Sequence, residues 1–142
     1  MAGAAEADYA VGLEVYDGGN YAGAFAAWLP LAKAGDVLAQ NTVAGMYRDG
    51  VGLERDLAEA ARWYGRAARA GSAVGQMNLG EMYARGQGVG RDAITAHMWL
   101  GLAAAQGRTW ADRHHDAMAR AMTSDEIAEV ERRIRAFRPE TR

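Results

Sequence analysis

Residues 36–71 read DVLAQNTVAGMYRDGVGLERDLAEAARWYGRAARAG, and residues 72–107 read SAVGQMNLGEMYARGQGVGRDAITAHMWLGLAAAQG. The second stretch is the first written again. Tyr47 returns as Tyr83, Asp56 as Asp92, Trp63 as Trp99 and Gly71 as Gly107, each after 36 residues. Laid over one another without a gap, the stretches share 13 identities, which leaves the register no freedom to slip. A fixed period between 20 and 50 residues marks a stacked repeat architecture. Such units bury their apolar faces against neighbours rather than around one centre, so function is expected on a surface that stacking creates.

Each unit reads as two helices, A and B. In the first copy Asp36 is a good N-cap for helix A. That helix runs to about Arg48, with Val43, Met46 and Tyr47 apolar. Asp49-Gly50-Val51-Gly52 follows, and two glycines two apart supply left-handed or otherwise strained backbone at a helix C-terminus. Asp56 caps helix B, and Glu59 stands at the capping-box position three later. Ala60, Trp63, Tyr64, Ala67 and Ala68 make the buried stripe, and Gly71 stops the helix. The second copy repeats this with Ser72 as cap and Leu79, Met82 and Tyr83 in helix A. Gly86-Gln87-Gly88-Val89 follows as the loop, then Asp92, Ala96, Trp99, Leu100, Ala103, Ala104 and Gly107. Ala44 and Gly80 occupy equivalent places where a close helix–helix approach excludes a larger side chain.

Outward from this core the repeat degrades. Residues 4–35 form a shortened first copy: Tyr9, Ala10, Leu13 and Tyr16 make an apolar stripe, Asp17-Gly18-Gly19-Asn20 breaks the helix, and Ala24, Trp28, Leu31 and Ala32 line the next one. After Arg108 the Gly-x-Gly loop is gone. A helix over 109–122 carries Trp110, Ala117, Met118 and Ala121. A capping box at Thr123-Ser124-Asp125-Glu126 then opens a last helix with Ile127, Val130, Ile134 and Phe137 inward, and Pro139 ends it. Residues 108–138 are read as a C-terminal capping pair whose outer face, Glu129, Glu131, Arg132, Arg133 and Arg135, meets water. The whole, 1–142, is one domain.

Composition excludes several classes. A formal net charge of −2 makes no case for nucleic acid. The −4 carried by residues 1–36 is ordinary surface. With no cysteine there is no disulfide, thiolate metal site or thiol nucleophile. No apolar run approaches the roughly 18 residues of a membrane span. Met1-Ala-Gly-Ala-Ala-Glu6 has no charged n-region or apolar h-region, so the expectation is a cytoplasmic protein or one whose leader was removed.

The pattern Tyr-x-x-Gly-x-Gly-(Val/Leu), then Asp, then Ala-x-x-Trp-(Tyr/Leu)-x-x-Ala-Ala-x-x-Gly resembles the Sel-one-like repeat family, relatives of the tetratricopeptide solenoids. Tyr47, Gly50, Gly52, Leu53, Asp56, Ala60, Trp63, Tyr64, Ala67, Ala68 and Gly71 carry it in one copy. Tyr83, Gly86, Gly88, Val89, Asp92, Ala96, Trp99, Leu100, Ala103, Ala104 and Gly107 carry it in the next. The resemblance implies an all-α, right-handed α-solenoid of antiparallel helix pairs. It further implies a bacterial adaptor or scaffold that binds a protein or peptide on its concave face, with export to the periplasm favoured over the cytoplasm. The motif is structural and carries no catalytic residue, metal or cofactor.

The residues themselves suggest little chemistry. His114 and His115 are adjacent, so on a helix they point about 100° apart and form no chelating face. They are read as solvent-facing, and His97, which replaces Ala61 of the preceding copy, as a rim residue. Ser72 and Ser124 sit at helix starts as caps, which leaves no Ser–His–Asp set. The tryptophans at helical spacing beside alanine pairs are core. Specificity is expected where the copies differ on helix A: Asn41, Thr42, Asn78 and Glu81, with Arg48 and Arg85 at the groove edge. The alternatives are an oligomer-forming module of the cell envelope and, less favoured, a hydrolytic enzyme.

Overall fold

The computed structural model describes residues 2–107 and 109–140, with side chains from Asp8 on except those of residues 108–110. Trp110 therefore lies outside the described side chains. The described residues form eight α-helices and no strand: α1 (Ala2–Asp17), α2 (Tyr21–Lys33), α3 (Val37–Asp49), α4 (Leu57–Arg69), α5 (Ala73–Arg85), α6 (Ala93–Ala105), α7 (Thr109–Arg120) and α8 (Ser124–Ala136). α1, α3 and α5 pack on α2, α4 and α6, and each pair then meets the next through α2–α3, α4–α5 and α6–α7. α8 folds back on α6.

Local chemistry sets the boundaries. The side chains of Asn20, Asp36, Asp56, Ser72, Asp92 and Thr123 each accept a backbone N–H of the helix they open. The reciprocal capping box is present at Thr123 and Glu126. At Asp56 the expected partner Glu59 instead lies 3.7 Å from Arg62, because an i+3 guanidinium competes for its carboxylate. Gly50 and Gly86 close α3 and α5 in the left-handed region (φ 69 and 67), as C-cap glycines do.

The second glycine of each loop has another role. Gly52 (φ 79) lies on the backbone of Tyr21 and Ala22, and Gly88 (φ 74) on that of Leu57 and Ala58. Tyr21 and Leu57 open α2 and α4. Each loop thus docks on the helix-B start of the preceding unit.

The core is a ladder of small residues and tryptophans. Trp28, Trp63 and Trp99 are at most 7% exposed, and Ala24, Ala32, Ala60, Ala67, Ala68, Ala96 and Ala103 are fully buried. The terminal units depart from their expected stripes. Leu13 is 43% exposed and Ala10 is exposed, because no described element packs over that flank of α1. Its covered contact is Gly12, packed under the Trp28 indole, whose Nε1 donates to Tyr9 O at 3.0 Å. On α7, Ala117 faces out, as does Ala121 just past the helix, and Ala111, His115 and Met118 face in. Of the expected stripe Met118 packs inward while Ala117 and Ala121 do not, because Ala111 and His115 set the covered face of α7.

Candidate functional site

On α3, Asn41, Gly45 and Arg48 follow at spacings of four and three; on α5, Asn78, Glu81 and Arg85 follow at three and four. Each set forms one helical stripe. The two stripes meet. Asn41 Nδ2 donates to Ser72 Oγ at 3.0 Å, and Arg48 donates to Asn78 Oδ1 at 2.8 Å. Arg48, Asn78, Glu81 and Arg85 line a cavity of about 610 Å³ with Asp49, Arg55 and Gln87. Thr42 lies in the neighbouring cleft of about 290 Å³, between α1 and α3, with Tyr9, Leu13, Tyr16, Met46 and Val51. Asp49 lines both, so the two clefts adjoin. Asn41 lines neither, and its Oδ1 is buried without a protein partner.

Arg48 holds the polar end together. It donates twice to Asp49, at 3.0 and 3.1 Å, and its guanidinium lies 5.8 Å from the centre of the Tyr64 ring. Its carbonyl accepts Arg55 Nε at 3.0 Å. The hydrogen bond from Arg48 holds the Asp49 carboxyl below the usual carboxylate range, and burial pushes the Tyr64 hydroxyl up. Asn78 is committed in part: Oδ1 accepts Arg48 and Nδ2 donates to Val74 O at 2.9 Å. Glu81 pairs with Arg85 at 2.8 Å. Sequence reasoning missed Tyr9, Leu13 and Arg55 at this surface. Tyr9 and Leu13 read as core, and only the uncovered flank of α1 opens them to a ligand.

The histidines are not where the sequence put them. His97 is 2% exposed, not a rim residue, because α7 folds over that face of α6. His115 is no free surface residue either: its ring lies 3.9 Å from that of His97, against Gly101 one turn on. Neither His97 nitrogen has a hydrogen-bond partner. Burial first, then the charge of His115, lower its pKa to about 4. Folded His97 thus stays neutral where the unfolded side chain, near 6.5, takes up a proton. Stability attributable to it is complete above about pH 6.5 and falls as the pH drops toward 4, on the order of 3 kcal/mol in all. Urea unfolding across that range should show this slope in the wild type and a flatter one in His97→Leu; equal slopes would remove His97 as its source. Among the described residues, no three His, Asp or Glu side chains converge as metal ligands.

The Sel1 repeat profile matches residues 37–72 and 73–107, half of the chain. The chain belongs to the Sel1 repeat family. It superposes over 94% of its length, with a TM-score of 0.86 and 24% identity, on c5321, a protective antigen of uropathogenic Escherichia coli with an SLR fold. It also superposes over 75%, with a TM-score of 0.68 and 30% identity, on a Sel1 repeat protein from Oxalobacter formigenes. The chain spans 29% and 43% of those two proteins. No curated protein matches it with significance. Sel1 repeats in general form protein-interaction scaffolds, and the all-helical solenoid seen here is that fold. No described helix is long and apolar enough to cross a membrane.

Proposed function

We propose that this Sel1 repeat chain is a scaffold that binds an extended protein segment along the face built by α1, α3 and α5. The observation that carries this is that the two clefts adjoin, with Asp49 in the wall of both. The α1–α3 cleft offers aromatic and aliphatic walls sized for a large apolar side chain, with Leu13 43% exposed at its mouth. The α3–α5 cleft offers guanidinium, carboxylate and carboxamide groups that can fix the register of a backbone. Apolar anchors with polar orienting groups are the usual anatomy of recognition. Val11 on α1 and Leu38 on α3 are also exposed, at 53% and 57%, which favours as a second reading the stacking of another repeat on that end. Sedimentation of the isolated chain distinguishes self-association from groove binding.

The groove is tested by comparing proteins retained by the wild type, Leu13→Glu and the Asn78→Ala/Glu81→Ala double variant, then titrating the partner so identified. Leu13→Glu should abolish retention, and the double variant should weaken binding about tenfold, or 1.4 kcal/mol, with melting nearly unchanged. Affinity untouched by both, and lost instead on replacing Arg132, Arg133 and Arg135 with alanine, would place the partner on the C-terminal pair.

A further inference from the structure

The two clear repeats carry the same glutamine at the same place and satisfy it differently. Gln40 and Gln76 stand one period apart near the starts of α3 and α5, 3% and 1% exposed. Each Nε2 donates to a carbonyl in the last turn of the preceding helix B, Ala32 O at 3.1 Å and Ala68 O at 3.2 Å. Gln76 Oε1 then accepts Gln106 Nε2 at 2.9 Å. Gln106 Nε2 also donates to Gly71 O at 3.0 Å. One period earlier, Gln106 corresponds to Ala70 and Gly71 to Gly35. A methyl group cannot donate, and Gln40 Oε1 is buried with no hydrogen-bond partner.

Where the counterpart of the Gln106 side chain would lie there is an open cavity of about 490 Å³, lined by Gly35, Gln40, Ala70, Arg66, Arg69 and Glu140, with Asp36 at its edge. A buried acceptor without a donor is unfavourable and selects for a ligand that supplies one. The rim is balanced in charge, Arg66 and Arg69 against Asp36 and Glu140. Arg69 lies 3.7 Å from Glu140, and Asp36 Oδ1 is taken by Ala39 N–H. A carboxylate ligand has no hydrogen to give Gln40 Oε1, and a cation would face Arg66, whose charge no described carboxylate pairs as Glu140 pairs that of Arg69. Arg66 lies over the Trp63 ring at 5.0 Å, and its Nη2 donates to Lys33 O at 3.4 Å; neither contact uses all its N–H groups, so it retains donors for an acceptor.

We propose that this cavity binds the carboxamide of a glutamine side chain from a partner protein, which takes the place that Gln106 fills internally one repeat later. Its NH2 donates to Gln40 Oε1 and to the Gly35 carbonyl, and its oxygen accepts from Arg66. The site shares no residue with the α1–α3–α5 groove and stands independently of it.

The test is an amide-resolved NMR titration of the whole chain with N-acetyl-glutamine methylamide, against the glutamate and lysine analogues. The glutamine probe alone should give saturable shifts at the Gln40 side-chain NH2 and the Gly35 and Ala70 amides. Ala70→Gln, which supplies the donor from within the chain, should abolish those shifts and raise the melting temperature by a few degrees. Ala70→Leu, which fills the space without a donor, should abolish the shifts without that rise. The proposal is overturned if the glutamine probe gives no saturable shift, leaving a water-filled notch. It is equally overturned if the three probes shift the same amides alike, or if the shifts survive both Ala70 substitutions.

Discussion

Trp99→Ala should cost roughly 3–5 kcal/mol, the range for removing a large aromatic from a packed core. In a chain of this size that lowers the melting temperature by about 10 °C or more. Trp99 is 7% exposed and is the last tryptophan of the ladder, packed in the main core cluster. Phe137 meets its ring edge-on with centroids 5.7 Å apart, so the loss reaches the segment that follows α8. Alanine pairs around it cannot expand to fill the space, and a cavity that does not collapse gives the upper end of the range. Urea midpoints for Trp99→Ala and the Asn78→Ala/Glu81→Ala variant should separate widely. Similar small shifts in both would mean that the tryptophan lies outside the cooperative core.

Gly88→Ala should be costlier than its left-handed φ alone dictates. The conformational term is about 1 kcal/mol. An added Cβ at Gly88 would also lie 2.2 Å from Leu57 O and 2.5 Å from Leu57 C, backbone atoms of the preceding unit. Relieving that contact requires the loop to lift off the start of α4, which brings the total to roughly 2–4 kcal/mol. Gly86→Ala is the internal control. Its φ of +67 is similar, but the nearest atom to its added Cβ is Arg91 Cβ at 3.2 Å. It should therefore cost little more than the conformational term. Equal losses in the two variants, measured by thermal melting, would show that the loop does not depend on docking.

How much of the candidate site was legible depends on the kind of contact. Helical phase alone gathered Arg48, Asn78, Glu81 and Arg85, because spacings of three and four put them on single stripes of α3 and α5. Phase said nothing of what those groups already hold. The Arg48–Asn78 bond joins residues 30 apart, and with the bond to Val74 O it commits part of an amide expected to give specificity. Tyr9 and Leu13 carry no mark that separates a covered terminal helix from an uncovered one.

By itself the sequence determined the period, the helix boundaries and the tryptophan–alanine core. All three are written locally: caps act over three residues, left-handed glycines end helices where they stand, and the identities recur every 36. Tertiary structure alone decided that Gly52 and Gly88 dock on the preceding unit and that His97 is buried under α7. It also decided that Gln76 is satisfied while its twin Gln40 is not. Each of those outcomes depends on an atom brought in from another helix. Two identical residues in a repeat have the same local environment in the chain, and only their neighbours across the stack make them different.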